Sequence, residues 1–274
     1  MMTQNKLFSV KDLIIVISGA TGVLGASITK HLALEGAKVI VLGRNKEKIK
    51  QLITTIGETP NQIFSLVADV TKEDELDNAR IILEESFNKI DVLINLAGGN
   101  MPGAVITPQQ TLLDAKVSEL QKVMELNYMG TFLPTKAFLP LFLKDLKGSI
   151  INISSMAAQR PISRVLGYGS AKAAIDNLTQ WLAVEFCSKY GADLRVNAIA
   201  PGFFLTEQNR RLLTEEDGSL TSRGNQIINN TPMNRFGEPD ELLGTVQWLA
   251  SNASKFVTGI IVAVDGGFNS YSGV

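Results

Sequence analysis

The sequence predicts an α/β fold: one domain built on a seven-stranded parallel sheet with helices on both faces. Three observations carry that expectation. Short runs rich in Val and Ile alternate with longer segments of helical period, the pattern of repeated βαβ units. The runs are almost continuously apolar, as strands covered on both faces must be. A chain of 274 residues suits one large core, and no repeat, low-complexity tract or linker marks a second domain within 1–274.

The apolar runs place strands at 13–18, 38–42, 62–67, 91–95, 149–154, 194–199 and 260–264. Helical period places helices between them at 26–35, 46–56, 72–88, 120–143, 168–189 and 239–250. Two segments interrupt the alternation. Residues 98–117 carry Pro102 and Pro108, and residues 203–238 carry Gly218, Gly224, Pro232 and Gly237. Both follow strand carboxyl ends, where open α/β sheets bind ligands, and the second is expected to form a lid over a pocket.

Composition narrows the function. With 26 basic and 27 acidic residues, 7% aromatics and no long charge run, neither a nucleic-acid face nor a polybasic membrane surface is expected. The expected partner is a small molecule. Residues 1–10 lack an apolar stretch of signal-peptide length and no run approaches a membrane span, so the expectation is a cytoplasmic protein. Cys187 is the single cysteine, expected to be buried in a helix, which excludes a disulfide within the chain. His31 is the single histidine, expected to be structural, so the usual zinc sites and histidine-based triads are not expected and no metal is required.

The first strand runs into "SGATGVLG", residues 18–25, with glycines at 19, 22 and 25. A glycine-rich strand-to-helix turn lets backbone approach a diphosphate and aims helix N–H groups at it. The spacing departs from G-x-G-x-x-G, yet the position favours a dinucleotide. At the end of the second strand, "VLGRN" places Gly43 where an acidic residue would accept the ribose hydroxyls of NAD, with Arg44 directly after it. An absent carboxylate and an added guanidinium favour NADP over NAD, because Arg offers phosphate a planar fork of donors.

Further on, "INISSMAAQRPISRVLGYGSAKAA" closes a strand, crosses a loop and opens a helix. Tyr168 and Lys172 stand four apart, hence on one helix face. An ammonium beside a phenol favours the phenolate, and bringing a pKa from about 10 to about 7 corresponds to about 4 kcal/mol. Tyr168 is therefore expected to exchange a proton near neutral pH.

Ser155 lies thirteen residues before Tyr168. Together with the glycine turn, "NLAG" at 95–98 and "PGFFLT" at 201–206, it gives a chain that closely resembles the classical short-chain dehydrogenase/reductase family over nearly its whole length. The resemblance implies a Rossmann-type domain, hydride transfer between nicotinamide and a carbonyl or alcohol, and a homotetramer or homodimer. It makes Tyr168 the acid/base and Lys172 the residue that lowers its pKa and holds the nicotinamide ribose. Ser155 hydrogen-bonds the substrate oxygen, its neighbour Ser154 pointing elsewhere by strand alternation, and Asn127 in "ELNYMG" supports a water-linked proton relay. For the cofactor it implies Gly19, Thr21, Gly22, Leu24, Gly25, Arg44, Asp69, Val70, Asn95, Ala97, Gly98, Tyr168, Lys172, Pro201, Gly202 and Thr206.

Within the family, "APGFFLTEQNRRLL", "TPMNRFGEPDELLG" and "DGGFNSYSGV" resemble the fructuronate reductase, or D-mannonate oxidoreductase, branch, with gluconate 5-dehydrogenase-type enzymes nearby. That implies a sugar acid as substrate. Asn100, Arg160 and Arg210 are candidate substrate ligands, with Arg164, Gln208, Asn209 and Arg211 close in sequence, because a carboxylate suits a guanidinium and hydroxyls suit amides. Alternatives are another classical reductase, an extended sugar-nucleotide epimerase, which also carries Y-x-x-x-K, and a nucleotide sensor that has lost its chemistry. A lipid or acyl-carrier substrate fits the polar lid poorly.

Overall fold

The computed structural model describes residues 6–57, 62–206 and 209–273. Residues 1–5, the start of the stretch read for a signal segment, therefore lie outside the described residues. Seven strands, β1 (Ile14–Ser18), β2 (Lys38–Gly43), β3 (Ile63–Val67), β4 (Val92–Asn95), β5 (Gly148–Ile153), β6 (Leu194–Pro201) and β7 (Ile261–Val264), form one sheet. Its order is β3-β2-β1-β4-β5-β6-β7, and every pairing is parallel. The chain begins at the centre, builds out to β3, then crosses to β4. That reversal leaves a crevice beyond the carboxyl ends of β1 and β4, where ligands bind in such sheets.

Two cores explain the unbroken apolar runs. Ile15 and Ile17 face Ile28, Leu32, Val246 and Leu249 on one side, while Val16, between them, faces Leu76, Phe138 and Leu182 on the other. The expectation that all strands are buried on both faces fails at the margins. In β3 only Ile63 and Leu66 are buried, and β7 is half-exposed, because the helical layers do not reach over the sheet edges.

The helices α1 (Val23–Leu34), α2 (Lys46–Ile56), α3 (Glu73–Phe87) and α6 (Leu166–Tyr190) match expectation within a few residues. The helix expected at 120–143 is instead three pieces: α4 (Val117–Met124), a π-helical turn (Glu125–Met129) and α5 (Gly130–Phe142). The segment expected to form a lid contains α7 (Arg210–Leu213) and α8 (Ser222–Asn229). After it, a 3₁₀ turn (Pro239–Leu242) closed by a Glu238/Glu241 capping box leads into α9 (Leu243–Ala250). His31 contacts Gln247 of α9 at 2.8 Å, a structural role. Cys187 is half-buried rather than buried, since it falls at the margin of the buried stripe of α6. Among the described residues no helix is long and apolar enough to cross a membrane.

Candidate active site

A cavity of about 610 Å³ opens at the carboxyl ends of the central strands, within the ~300–1,000 Å³ range of small-molecule sites. Thr21, Gly22 and Leu24 line one end with Arg44, Asp69 and Val70. Asn100, Ser155, Tyr168, Pro201, Gly202 and Thr206 line the other. Gly19, Ala97, Gly98 and Lys172 complete the wall.

The glycines of the β1–α1 turn have distinct tasks. Gly19 has φ +69°, and a Cβ there would meet the Ala97 backbone at 2.7 Å, so only glycine fits. Gly25 does not line the cavity as expected. A Cβ on it would meet Ala20 Cα and Gly19 O at 2.6 Å, so it packs α1 onto the turn. At Gly22 a Cβ would have only Gly19 O nearby, at 3.5 Å, so the absent side chain leaves room on the cavity side. Gly22 also caps α1, whose first turn has no acidic residue and whose cap makes no side-chain hydrogen bond. Backbone donors, a helix N-terminus and an open cradle fit the diphosphate of a dinucleotide.

At the adenosine-binding end expected from sequence, Arg44 has a 71% exposed side chain and lies 3.6 Å from the Asp69 carboxylate. Asp69 also accepts the Thr71 N–H and hydroxyl at 2.9 and 2.8 Å. Burial raises the Asp69 pKa, but these hydrogen bonds and the Arg44 charge outweigh it and leave the carboxyl below its ordinary value.

The reactive end is built on β5 and α6. Ser155, just beyond β5, is buried, and its hydroxyl is near enough to the Tyr168 phenol to favour the phenolate. Its Oγ also accepts the Ala157 N–H at 3.1 Å, which fixes the rotamer. Lys172, one turn after Tyr168, is 3% exposed, with Nζ 5.6 Å from the Tyr168 ring centroid. It donates to the Ile153 carbonyl at 2.6 Å. Burial brings its pKa down to about 8, with the Asp176 carboxylate pulling the other way.

The expected depression of the Tyr168 pKa is corrected. Burial pushes it above the ordinary phenol value, and the nearby Ser155 hydroxyl offsets only part of that. The reason is geometric: the Lys172 hydrogen bond goes to Ile153, while desolvation of the phenol favours its neutral form. A phenol held protonated suits the acid of a reduction.

Asn127 sits in the π-helical turn, wholly buried. Its Nδ2 donates to the carbonyls of Gly99 and Val123, both at 2.8 Å, and its Oδ1 accepts the Gly99 N–H at 3.0 Å. A Cβ on Gly98 would lie 2.6 Å from Asn127 Oδ1 and 3.3 Å from Lys172 Nζ, so both side chains lie against the "NLAG" turn at Gly98.

Other expected positions fall elsewhere. Asn95 lies beneath the cavity, donating to Thr135 Oγ1 and Asn152 Oδ1, both at 2.9 Å, because its strand carries it into the core. Arg160 does not reach the cavity. Its Nε donates to the Asn269 carbonyl at 3.1 Å, and Asn269 thereby holds the guanidinium at the surface. Arg210, at the start of α7, is exposed and outside the cavity wall, whereas Asn209 lines it. Gln208 and the Arg211 side chain lie outside the described residues.

Asp176 was not among the expected residues, though it repeats the four-residue step of Tyr168 and Lys172 along α6. It is half-buried beside Ser154, Gln159 and Lys172, and its Oδ1 is buried without a hydrogen-bond partner. Burial raises its pKa, with Ser154, Gln159 and Lys172 opposing. Ser154 lines the cavity along with Ser155, its hydroxyl donating to the Lys172 carbonyl at 3.4 Å.

The sheet order, the glycine turn and the Ser155–Tyr168–Lys172 group define an oxidoreductase on a Rossmann-like domain. A family model described as enoyl-(acyl carrier protein) reductase matches residues 19–269, and the chain belongs to the short-chain dehydrogenase/reductase family. It is 43% identical to an uncharacterized oxidoreductase, UxuB, of Bacillus subtilis, over 94% of this chain and 95% of the relative. A crystal structure of a candidate D-mannonate oxidoreductase from Haemophilus influenza with NAD bound superposes with TM-score 0.90 at 40% identity, covering 97% of this chain and 98% of that one. A gluconate 5-dehydrogenase from Burkholderia cenocepacia in complex with NADP and tartrate gives TM-score 0.84 at 29% identity, covering 97% and 98%.

Proposed function

We propose that this protein reduces the ketone of a sugar acid with a nicotinamide dinucleotide, D-fructuronate to D-mannonate being the foremost reaction, and that it prefers NADP to NAD. The observation that carries the chemistry is the meeting of Ser155, Tyr168 and buried Lys172 on the wall of one glycine-lined cavity. Bound there, the dinucleotide supplies the hydride. Tyr168 donates its phenolic proton to the substrate oxygen, and Ser155 stabilises the charge that grows on that oxygen. Lys172 holds the nicotinamide ribose and stabilises the phenolate left behind, and Asn127 holds the Gly99 backbone against which the relay to solvent is built.

Asn100, Thr206 and Asn209 supply polar groups at the substrate end, in keeping with a hydroxylated acid. The likeness to the D-mannonate oxidoreductase structure supports the named reaction. The likeness to a gluconate 5-dehydrogenase favours 5-ketogluconate as the second reading. A homo-oligomer is part of the same reading.

For the cofactor, the NADP reading is supported by Arg44, which lines the cavity beside Asp69 with a largely exposed guanidinium that a 2′-phosphate could reach. A 340 nm assay crossing NADPH and NADH with fructuronate, 5-ketogluconate and a simple acyl ketone tests both halves. Turnover of a keto acid with NADPH is expected, and turnover of the acyl ketone alone would defeat the substrate reading. Arg44→Ala should raise the KM for NADPH about tenfold and leave that for NADH nearly unchanged. Equal effects would remove Arg44 from this role.

A further inference from the structure

The "DGGF" run at 265–268 and Asn269 after it line no part of the cavity described above, yet they brace two of its walls. Beyond β7 the chain turns sharply, with Gly266 and Gly267 at φ +64° and +88°. The Asp265 carboxylate closes this turn, accepting the Gly267 N–H at 2.9 Å and the Asn269 N–H at 2.7 Å. Asn269 then meets the loop that leaves Ser155. Arg160 Nε lies 3.1 Å from the Asn269 carbonyl oxygen and 3.2 Å from its Oδ1, and Nη2 donates to the same carbonyl. In return, Asn269 Nδ2 donates to Gln159 Oε1 at 2.7 Å. Gln159 and Arg160 are exposed, so burial does not force either onto Asn269.

This grip reaches the cavity by two short routes. On one side, Gln159 and Arg160 follow the 3₁₀ turn Met156–Ala158, both N–H groups donating to the Met156 carbonyl, at 3.1 and 2.9 Å. The same turn begins at Ser155, whose Oγ accepts the Ala157 N–H and whose carbonyl accepts the Ala158 N–H at 3.0 Å. On the other side, Phe268 meets Phe203, a cavity-lining residue, edge to face with ring centroids 5.2 Å apart. The Gly202 N–H donates to the Val264 carbonyl at 2.9 Å, and a Cβ on Gly202 would lie 2.6 Å from Asp265 Cα. One turn of chain therefore touches both the Ser155 loop and the Gly202–Phe203 wall.

We propose that Arg160, Asp265 and Asn269 are positioning residues, a brace that fixes Ser155 and Phe203 relative to each other across the reactive end of the cavity. This rests on the reductase reading above, in which Ser155 stabilises charge on the substrate oxygen. Such a group acts only at hydrogen-bond distance, and a displacement of about 1 Å can cost up to about a hundredfold in rate.

The test uses Asp265→Ala, Arg160→Gln and Arg160→Lys. For each, kcat and KM are measured with fructuronate and with its uncharged methyl ester, and amide hydrogen exchange is followed by mass spectrometry without substrate. Asp265→Ala and Arg160→Gln should lower kcat about tenfold for acid and ester alike and leave the KM for the cofactor unchanged. Arg160→Lys, which keeps one donor for the Asn269 carbonyl, should recover part of the loss. The amides of residues 157–160 should exchange faster in the first two variants, with those of β1 unchanged. Unaltered kcat in both variants, or unaltered exchange over 157–160, overturns the brace. So does acceleration that extends to β1, which marks a role in the whole fold, or a loss in Arg160→Gln confined to the acid, which makes Arg160 a carboxylate ligand. If the wild type reduces no keto acid, the sugar-acid reading fails, and the exchange result alone upholds or overturns the brace.

Discussion

Lys172 shows how one buried amine links stability to chemistry. Its pKa is about 8 in the folded chain against 10.5 ordinarily, so the unfolded chain binds more protons between those values and stability rises with pH across that window. Below about pH 8 the fold carries a buried ammonium at a cost. Lys172→Met should therefore raise the unfolding free energy at pH 7, measured by denaturant titration, by about 1 kcal/mol, after allowing for the donor that the Ile153 carbonyl loses. The gap to wild type should shrink from pH 8 towards 10, and a constant gap would contradict the assignment. Activity has the opposite slope, because the ammonium is the useful form: kcat/KM for reduction should fall as pH rises through about 8. Asp176→Asn removes the carboxylate that sustains the charge, so this limb should move to lower pH, with Asp176→Glu restoring it. A purely structural Asp176 would leave the limb in place.

At the scale of elements, what was legible in the sequence is what local periodicity determines. The shared face of Tyr168 and Lys172 is readable because four residues make about one helical turn. Their roles, and the choice of Ser155 over Ser154 by its thirteen-residue interval to Tyr168, come from the family resemblance. The break at 125–129 was not readable, because an extra residue in a π turn barely disturbs an apolar repeat. Its cause is three-dimensional: Asn127 turns inward to hold Gly99, and the Thr131 hydroxyl donates to the Asn127 carbonyl at 2.9 Å. Gly25 was assigned to the cofactor for a similar reason, since spacing cannot distinguish a glycine facing a ligand from one facing its own backbone. Gly25→Ala should cost about 1–3 kcal/mol of stability, as α1 must shift off Ala20 and Gly19. It should weaken cofactor binding only through that shift. Chemical denaturation and cofactor titration separate the two effects, and an unchanged midpoint would show that the turn absorbs the methyl group.

For the whole molecule, sheet order follows from the alternation of strands and helices, but Arg223 of α8 reaches Ser163 only because the two segments fold together, a contact no spacing encodes. The outer face of α6 is equally non-local in meaning. Its inner stripe, including Ile175, Leu178, Leu182 and Phe186, packs into the core. Outside, Ala173, Asn177, Gln180, Trp181 and Val184 are exposed, with Trp181 at 57% and Val184 at 73%, and none of the five is charged. A helix face that meets water is ordinarily charged, and an aromatic with a β-branched neighbour on an uncharged stripe suits contact with a second copy of the same helix. The chain should therefore sediment as a dimer or tetramer. Val184→Glu, which places like charges against each other across a twofold contact, should lower the mass towards a single chain while leaving the circular dichroism of the fold intact. A wild type that sediments as a single chain, or a Val184→Glu variant with undiminished mass, would exclude this face as the subunit contact.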